Sequence, residues 1–268
     1  TGQATSAFNS ITQNLASDVG GHRWAGALNS HPEEEMTVIR GLMSYPGAPP
    51  SYTPALPVDF YPTNWDAIKR REFDALVGRL ELDHYYVEEF RCIAGRKKVL
   101  IIDNSGSMAT VLAKTSTNLG PHVAVHRYDE LIEYVKIALP LLVFDTPEGV
   151  DIWFLNAVNG VYYYPGVQCW SAIAPVFEVP PCGDTPLCAM MRRVLTHYAA
   201  DAKERGVQLI VTTDGEPGDG SPSDLCKIIM SRADPHQFVI NFRVCTDDER
   251  EVAYLDRLDR TAKFVDVT

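Results

Sequence analysis

Short apolar runs alternate with helix-like segments through the later part of this chain, and this alternation constrains the fold more than any other feature. The runs are apolar almost throughout rather than at every second position, which predicts strands buried on both faces of a sheet. We place five strands, at residues 97–103, 149–156, 207–214, 237–244 and 263–267, the last as an edge strand.

Between these runs, apolar residues recur at the three- and four-residue spacing of a helix face. We expect helices at residues 128–144, 186–204, 224–231 and 248–258. Strands that alternate with helices form a mostly parallel sheet covered by helices on both faces. Residues 98–268 are therefore predicted to be a doubly wound α/β domain with a Rossmann-like fold.

A hairpin is also indicated within this domain. Asn159-Gly160 is a typical two-residue hairpin turn, and three consecutive tyrosines follow it at residues 162–164. We expect these tyrosines to form an exposed or half-buried strand edge, with an interaction surface as the alternative.

Residues 1–97 do not share the alternating pattern and are interpreted as an N-terminal extension. They contain a predicted short helix at 32–43, a strap with six prolines at 44–63 and a predicted helix at 65–94. The first residue is Thr1 rather than Met, so a fragment and a processed protein with a removed signal peptide both stay open.

Charge and composition exclude several function classes. The chain has 24 Lys and Arg against 35 Asp and Glu, a formal net charge of −11. This balance disfavours nucleic-acid binding and docking on an anionic membrane, since both need clustered cations. No apolar run approaches the roughly 20 residues of a membrane-spanning helix.

The six cysteines include no C-x-x-C pair, which argues against a structural zinc site. Free thiols in a reducing compartment are expected, and the predicted location is the cytoplasm. A disulfide between Cys182 and Cys188, which lie six residues apart, and an extracellular form are the alternatives left open.

Small oxygen-bearing side chains follow the predicted strands at the points where the strands end. Asp103, Ser105 and Ser107 come after the first strand, Asp214 ends the third, and Thr185 precedes the second helix. Ligands bind at the carboxyl ends of the strands in such sheets. Two carboxylates and three hydroxyls suit a hard divalent cation, so we predict a Mg²⁺ site, with Mn²⁺ or Ca²⁺ as alternatives.

This pattern resembles the metal-ion-dependent adhesion site of von Willebrand factor A (VWA) domains. Asp103-x-Ser105-x-Ser107, Thr185 in Gly-x-Thr-Pro-Leu and Asp214 in Thr-Asp-Gly-x-Pro match the family's five positions in order. The resemblance covers residues 99–267, and the family's last helix would then be missing.

The resemblance implies a role for each of the five residues. Ser105 and Ser107 would bind the metal through their hydroxyls, and Asp103 would bind it directly or through water. Asp214 would act through a water, and Thr185 would join when a ligand is bound. An Asp or Glu side chain of a partner protein would complete the coordination.

The first functional hypothesis is therefore a metal-dependent protein-binding module, acting as a scaffold or assembly component. The second is an adaptor subunit of an AAA+ ATPase machine. Because the chain has no Walker-type motif, such a motor would be a separate polypeptide.

The third hypothesis, a metal-dependent phosphoester hydrolase with Asp103 as nucleophile, is disfavoured. The second residue after Asp103 is Ser105 rather than a carboxylate, and no Lys or Arg stands next to the motif in sequence. We therefore do not expect an enzyme.

Several neighbouring residues receive structural predictions. The stretch between Met108 and Tyr128 is expected to be an insertion or a distorted first helix, and His122 and His126 are expected at the surface rather than on a metal. Ser223 is predicted to cap the following helix. Two acidic residues lie in or near the Thr-Asp-Gly-x-Pro loop. We expect Asp219 to be a loop or cap residue, and we do not expect Glu216 to be a metal ligand.

Overall fold

The structure is a computed structural model and describes residues 66–79, 93–112, 125–246 and 248–267. The predicted helix at 32–43 and the proline strap at 44–63 lie outside these residues. Within the predicted helix at 65–94, helix α1 spans Ala67–Arg79. Its Phe73 packs against Phe144 of the next helix, with ring centroids 5.5 Å apart, so part of the extension lies on the α/β domain.

Six strands form one sheet in the order β3-β2-β1-β4-β5-β6. The strands are β1 Lys97–Ile102, β2 Val150–Val158, β3 Val161–Val167, β4 Val207–Thr213, β5 Phe238–Val244 and β6 Val265–Val267. All neighbouring pairs are parallel except β2 with β3. The sheet confirms the five predicted strands and the mostly parallel α/β fold.

The antiparallel strand β3 is the predicted tyrosine edge. Asn159 and Gly160 both have positive φ angles, 51° and 82°, as the tight hairpin turn requires. Along β3 the side chain of Tyr162 is exposed, whereas Tyr163 and Tyr164 are half-buried. The expectation of a partly exposed strand edge is confirmed.

Helices cover both faces of this sheet. They are α2 Arg127–Phe144, α3 Trp170–Phe177, α4 Leu187–His197, α5 Ala199–Glu204, α6 Pro222–Met230 and α7 Glu249–Thr261. Short 3-10 turns occur at Gly106–Ala109 and Pro235–Gln237. In the part of the chain that the structure describes, no helix has the length and apolar character to cross a membrane.

Two helix predictions need correction, and one helix was not predicted. The helix predicted at 186–204 is interrupted at Tyr198 and forms two helices. The sequence analysis missed α3, which has only eight residues and contains Pro175, a residue that is disfavoured in helix interiors. Helix α6 is capped by Ser221 rather than Ser223, because the Ser221 side chain accepts the Asp224 backbone N–H and Pro222 opens the helix.

The two faces of the sheet carry separate apolar cores. In β1, Leu100 and Ile102 point into the core under α1, α2 and α3, while Val99 and Ile101 point into the core under α4, α6 and α7. Every residue of β1 is buried, as a central strand between two helical layers requires.

The amino end of the sheet contains a buried polar network around Asp151. Its carboxylate accepts hydrogen bonds from Lys97 Nζ at 2.9 Å, Tyr163 Oη at 2.9 Å and Tyr198 Oη at 2.6 Å. Trp153 Nε1 donates to Tyr198 Oη at 3.1 Å. Burial acts to raise the pKa of Asp151, but these hydrogen bonds outweigh burial and hold it below its usual value. The network joins β2 and β3 to the helix break at Tyr198.

We expect Tyr198→Phe to lower the free energy of unfolding by about 1–3 kcal/mol, because the change removes one donor to Asp151 and leaves Trp153 Nε1 without its acceptor. Tyr162→Phe is the matched control, since its side chain is exposed, and should change stability by less than about 0.5 kcal/mol. Urea unfolding of both variants measures the difference. Equal stabilities would contradict the assigned role of the network.

Candidate metal centre

The candidate site lies where the direction of the strand order reverses. The chain goes from β1 outward through β2 to β3 on one side, and from β4 through β5 to β6 on the other. In open α/β sheets a ligand crevice forms at this point, beyond the carboxyl ends of the strands. Asp103 directly follows β1 and Asp214 directly follows β4, so both carboxylates lie at the crevice.

Asp103 is fixed by its own turn. One carboxylate oxygen accepts the Ser105 backbone N–H at 2.9 Å, and the other accepts Thr213 Oγ1 at 2.8 Å. The side chain is completely buried. Burial raises the pKa of Asp103 to about 6, hydrogen bonds from Ser105 and Thr213 partly oppose this, and the nearby Asp214 charge adds to it.

Two serine hydroxyls connect this turn to Asp214. Ser105 Oγ lies 3.0 Å from Ser107 Oγ, and Ser107 Oγ donates to Asp214 Oδ1 at 2.9 Å. Neighbouring ligands of an octahedral Mg²⁺ with 2.0–2.1 Å bonds are about 2.9 Å apart. The Ser105–Ser107 pair thus has the spacing of two adjacent Mg²⁺ ligands, with Asp214 beside them.

The donor set itself is compatible with Mg²⁺, which prefers oxygen ligands. Among residues 66–79, 93–112, 125–246 and 248–267, no three His, Cys, Asp or Glu side chains form a metal cluster. A cation at this site would therefore depend on the hydroxyls of Ser105 and Ser107 as well as on the carboxylates of Asp103 and Asp214.

The loop that contains Thr185 lies at the same edge of the sheet and is held there by backbone hydrogen bonds. The loop is held on one side where Gly106 N donates to Gly183 O at 3.0 Å, and on the other where Gly218 N donates to Thr185 O at 2.8 Å. Gly183 has a φ of +92°, and a Cβ there would lie 2.6 Å from Asn156 Oδ1, so only glycine fits. The structure thus places the Thr185 loop against both other loops, while side-chain hydrogen bonds link Ser105, Ser107 and Asp214.

The other predictions around the loop have clear outcomes. Asp219 accepts the backbone N–H groups of Cys188 and Ala189 at 2.9 and 2.7 Å, so it caps α4 as a cap residue was expected to do. Cys182 and Cys188 are both free thiols in the structure, which does not contain the alternative disulfide between them. Glu216 is exposed and lines a cleft beside the site.

The residues that follow the first motif contact the residues just before α2, next to the site. Leu112 N donates to Val125 O at 2.8 Å, and His126 Nδ1 lies 2.7 Å from Ala109 O. Residues 113–124, including His122, lie outside the described residues. The role of His126 is thus to join the start of α2 to the 3-10 turn.

The sequence analysis missed Arg127. This first residue of α2 lies far from the motifs in sequence, but its Nη1 contacts Asp214 Oδ2 at 2.9 Å and its Nη2 donates to Thr246 Oγ1 at 2.7 Å. No spacing pattern marks it, because only the packing of α2 beside the carboxyl end of β4 brings the two charges together.

An open cleft of about 470 Å³ lies beside these groups. Its lining consists of charged and small residues from three parts of the chain: Ser107, Arg127, Asp214, Gly215, Glu216 and Arg250. A side chain of another molecule can therefore approach Ser107, which is exposed, from solvent.

No protein-family model matches this chain, and no curated protein matches it.

The raised pKa of Asp103 predicts how stability depends on pH in the metal-free protein. A folded pKa of about 6 exceeds the ordinary 3.8, so the folded state binds the proton more tightly than the unfolded state. The Asp103 contribution to the free energy of unfolding is thus fully present below pH 4 and is lost as the pH rises through about 6.

Asp103→Asn removes this charge. In EDTA at pH 7.5 we expect the variant to be more stable than the wild type by about 2 kcal/mol, with a smaller gain at pH 4.5. Urea unfolding at the two pH values measures it. Asp184→Asn, at an exposed carboxylate in the neighbouring loop, is the control and should change little. A destabilised Asp103→Asn at pH 7.5 would contradict the prediction.

Proposed function

We propose that this chain is a VWA-like, metal-dependent protein-binding module with a metal-ion-dependent adhesion site. Asp103, Ser105, Ser107, Thr185 and Asp214 would hold a divalent cation, with Mg²⁺ as the first choice and Mn²⁺ or Ca²⁺ as alternatives. When bound, the cation supplies a Lewis acid for a carboxylate oxygen of a partner's Asp or Glu. The observation that carries the proposal is the 2.9–3.0 Å spacing of the Ser105, Ser107 and Asp214 oxygens at the strand-order reversal.

Each residue has a defined task in this proposal. The Ser107 hydroxyl directs its hydrogen to Asp214 and accepts the hydrogen of Ser105, which leaves one Ser107 lone pair for a cation. The Ser105 backbone N–H and Thr213 hydroxyl keep the Asp103 carboxylate in place. The Thr185 loop is held against Gly106 by its backbone, and Thr185 would contribute its hydroxyl.

Binding is favoured over catalysis by the state of Asp103. A nucleophilic carboxylate needs an oxygen that can reach a substrate. Asp103 is fully buried, so neither oxygen is open to a phosphoester that approaches from solvent, and hydrogen bonds from Ser105 and Thr213 hold the carboxylate in the turn. These contacts support a role in metal positioning within a scaffold or assembly protein.

The first test is thermal unfolding in EDTA and in increasing Mg²⁺. Because a ligand that binds only the folded state stabilises it by RT ln(1 + [L]/Kd), we expect a saturable rise of about 2.7 kcal/mol at one hundred times Kd. Ser107→Ala should lose most of this rise. Ser223→Ala, an exposed serine on α6, should keep it. Identical curves with and without Mg²⁺ for the wild type would contradict the proposal.

The second arm tests recognition of a carboxylate. Beads that present glutamate should retain the wild-type protein in Mg²⁺ and release it in EDTA, whereas beads that present glutamine should not retain it, because the amide lacks the charge that a cation binds. Equal retention on both kinds of bead would contradict carboxylate recognition.

A further inference from the structure

Both carboxylate oxygens of Asp214 are occupied by donors. Ser107 Oγ donates to Oδ1 at 2.9 Å, and Arg127 Nη1 donates to Oδ2 at 2.9 Å. The exposed fractions of the two charged side chains are 8% for Arg127 and 1% for Asp214. Breaking this buried ion pair would leave a charge without compensation, so the contact between Asp214 and Arg127 is costly to separate.

Arg127 is held in place from both ends. Its backbone N–H donates to Thr110 O at 3.0 Å, and its Nη2 donates to Thr246 Oγ1 at 2.7 Å. The other arginine of the cleft, Arg250, is 91% exposed and pairs with Asp248 at 3.0 Å. Arg127 is therefore the cation built into the site, and Arg250 belongs to its rim.

The pair changes the charge balance of the site. Asp103 and Asp214 are the buried carboxylates, and Arg127 cancels the charge of one of them. At the rim of the cleft, Arg250 and the exposed Glu216 have opposite signs. With Arg127 present, a divalent cation leaves the centre with a net positive charge, which attracts a carboxylate. Without Arg127 the same cation would make the centre neutral.

From these contacts we infer that Arg127 is a positioning residue that lowers the affinity of the site for its metal and raises its affinity for an acidic partner. It does so by holding Asp214 away from direct coordination and by leaving the loaded site positively charged. The inference rests on the proposed function and assigns this trade-off to one residue outside the five predicted ligands.

The test compares three variants with the wild type. Arg127→Met removes the charge at similar length, Arg127→Lys keeps the charge, and Thr246→Val removes the hydrogen bond that orients the guanidinium. Calorimetry with Mg²⁺ alone gives the metal affinity. Retention on glutamate beads at saturating Mg²⁺ gives the carboxylate affinity, and urea unfolding shows whether each variant is folded.

We expect Arg127→Met to bind Mg²⁺ about tenfold more tightly and the glutamate beads about tenfold more weakly. Arg127→Lys keeps the charge but loses the two-pronged contact with Asp214 and Thr246, so Arg127→Lys and Thr246→Val should both shift the two affinities in the same directions as Arg127→Met, by a smaller factor. A purely structural role would weaken both affinities together, so the opposite signs are diagnostic.

Three results would overturn the inference. If folded Arg127→Met binds Mg²⁺ no more tightly than the wild type, the inference fails and the proposed function stands. If Arg127→Met does not fold, unchanged affinities in Thr246→Val overturn the inference in the same way. If the wild type itself binds no Mg²⁺, the proposed function fails and takes the inference with it.

Discussion

The parallel pairing of β1 with β4 is the contact on which the rest of the site depends. The two strands run in register from Lys97 opposite Val207 to Ile102 opposite Thr212, so they end side by side. Asp103 N continues the ladder to Thr212 O at 3.2 Å, which carries the first motif to the loop that bears Asp214. Since the strand order reverses between these two strands, no further strand covers the gap beyond their ends.

The two ends of the sheet use buried charge in different ways. At the amino end, Lys97 pairs with Asp151 at 2.9 Å, and the fully buried Lys98 lies 3.7 Å from Asp145. Burial lowers the pKa of Lys98 to about 8, and Asp145 opposes this effect. At the carboxyl end, Asp103 has its charge compensated only by hydrogen bonds, which leaves its pKa raised. Breaking the ion pairs at the amino end would leave buried charges without partners, whereas burial of the ionised Asp103 carboxylate is itself unfavourable at neutral pH.

The ion pair of Arg127 with Asp214 resembles the ion pairs at the amino end of the sheet. Arg127 gives Asp214 an internal partner like those at the amino end, although Asp214 lies at the open end of the sheet beside the cleft. Asp103 and Asp214 are thus two carboxylates at adjacent strand ends with different surroundings. One is compensated by neutral donors and the other by a cation, so they are suited to different tasks toward a metal.

Local patterns in the sequence were sufficient for much of this structure. The apolar runs predicted β1, β2, β4, β5 and β6, because burial on both faces leaves a signal in every residue of a strand. Asn159-Gly160 predicted the hairpin, because few residues accept two positive φ angles in succession. The oxygen donors at strand ends could be found for the same reason, since the end of a predicted strand places them at the edge of the sheet.

Only the tertiary structure decided the features that depend on contacts between distant segments. Helix α3 is short and contains Pro175, and its Trp170 and Phe177 are buried in the core. The helix break at Tyr198 coincides with hydrogen bonds to Asp151 and Trp153 on β2. Arg127 could not be assigned, because its ion pair with Asp214 joins two segments whose separation in sequence has no fixed relation to their distance in space. A local pattern records how a residue is buried, but a buried ion pair exists only once the packing has brought its two partners together.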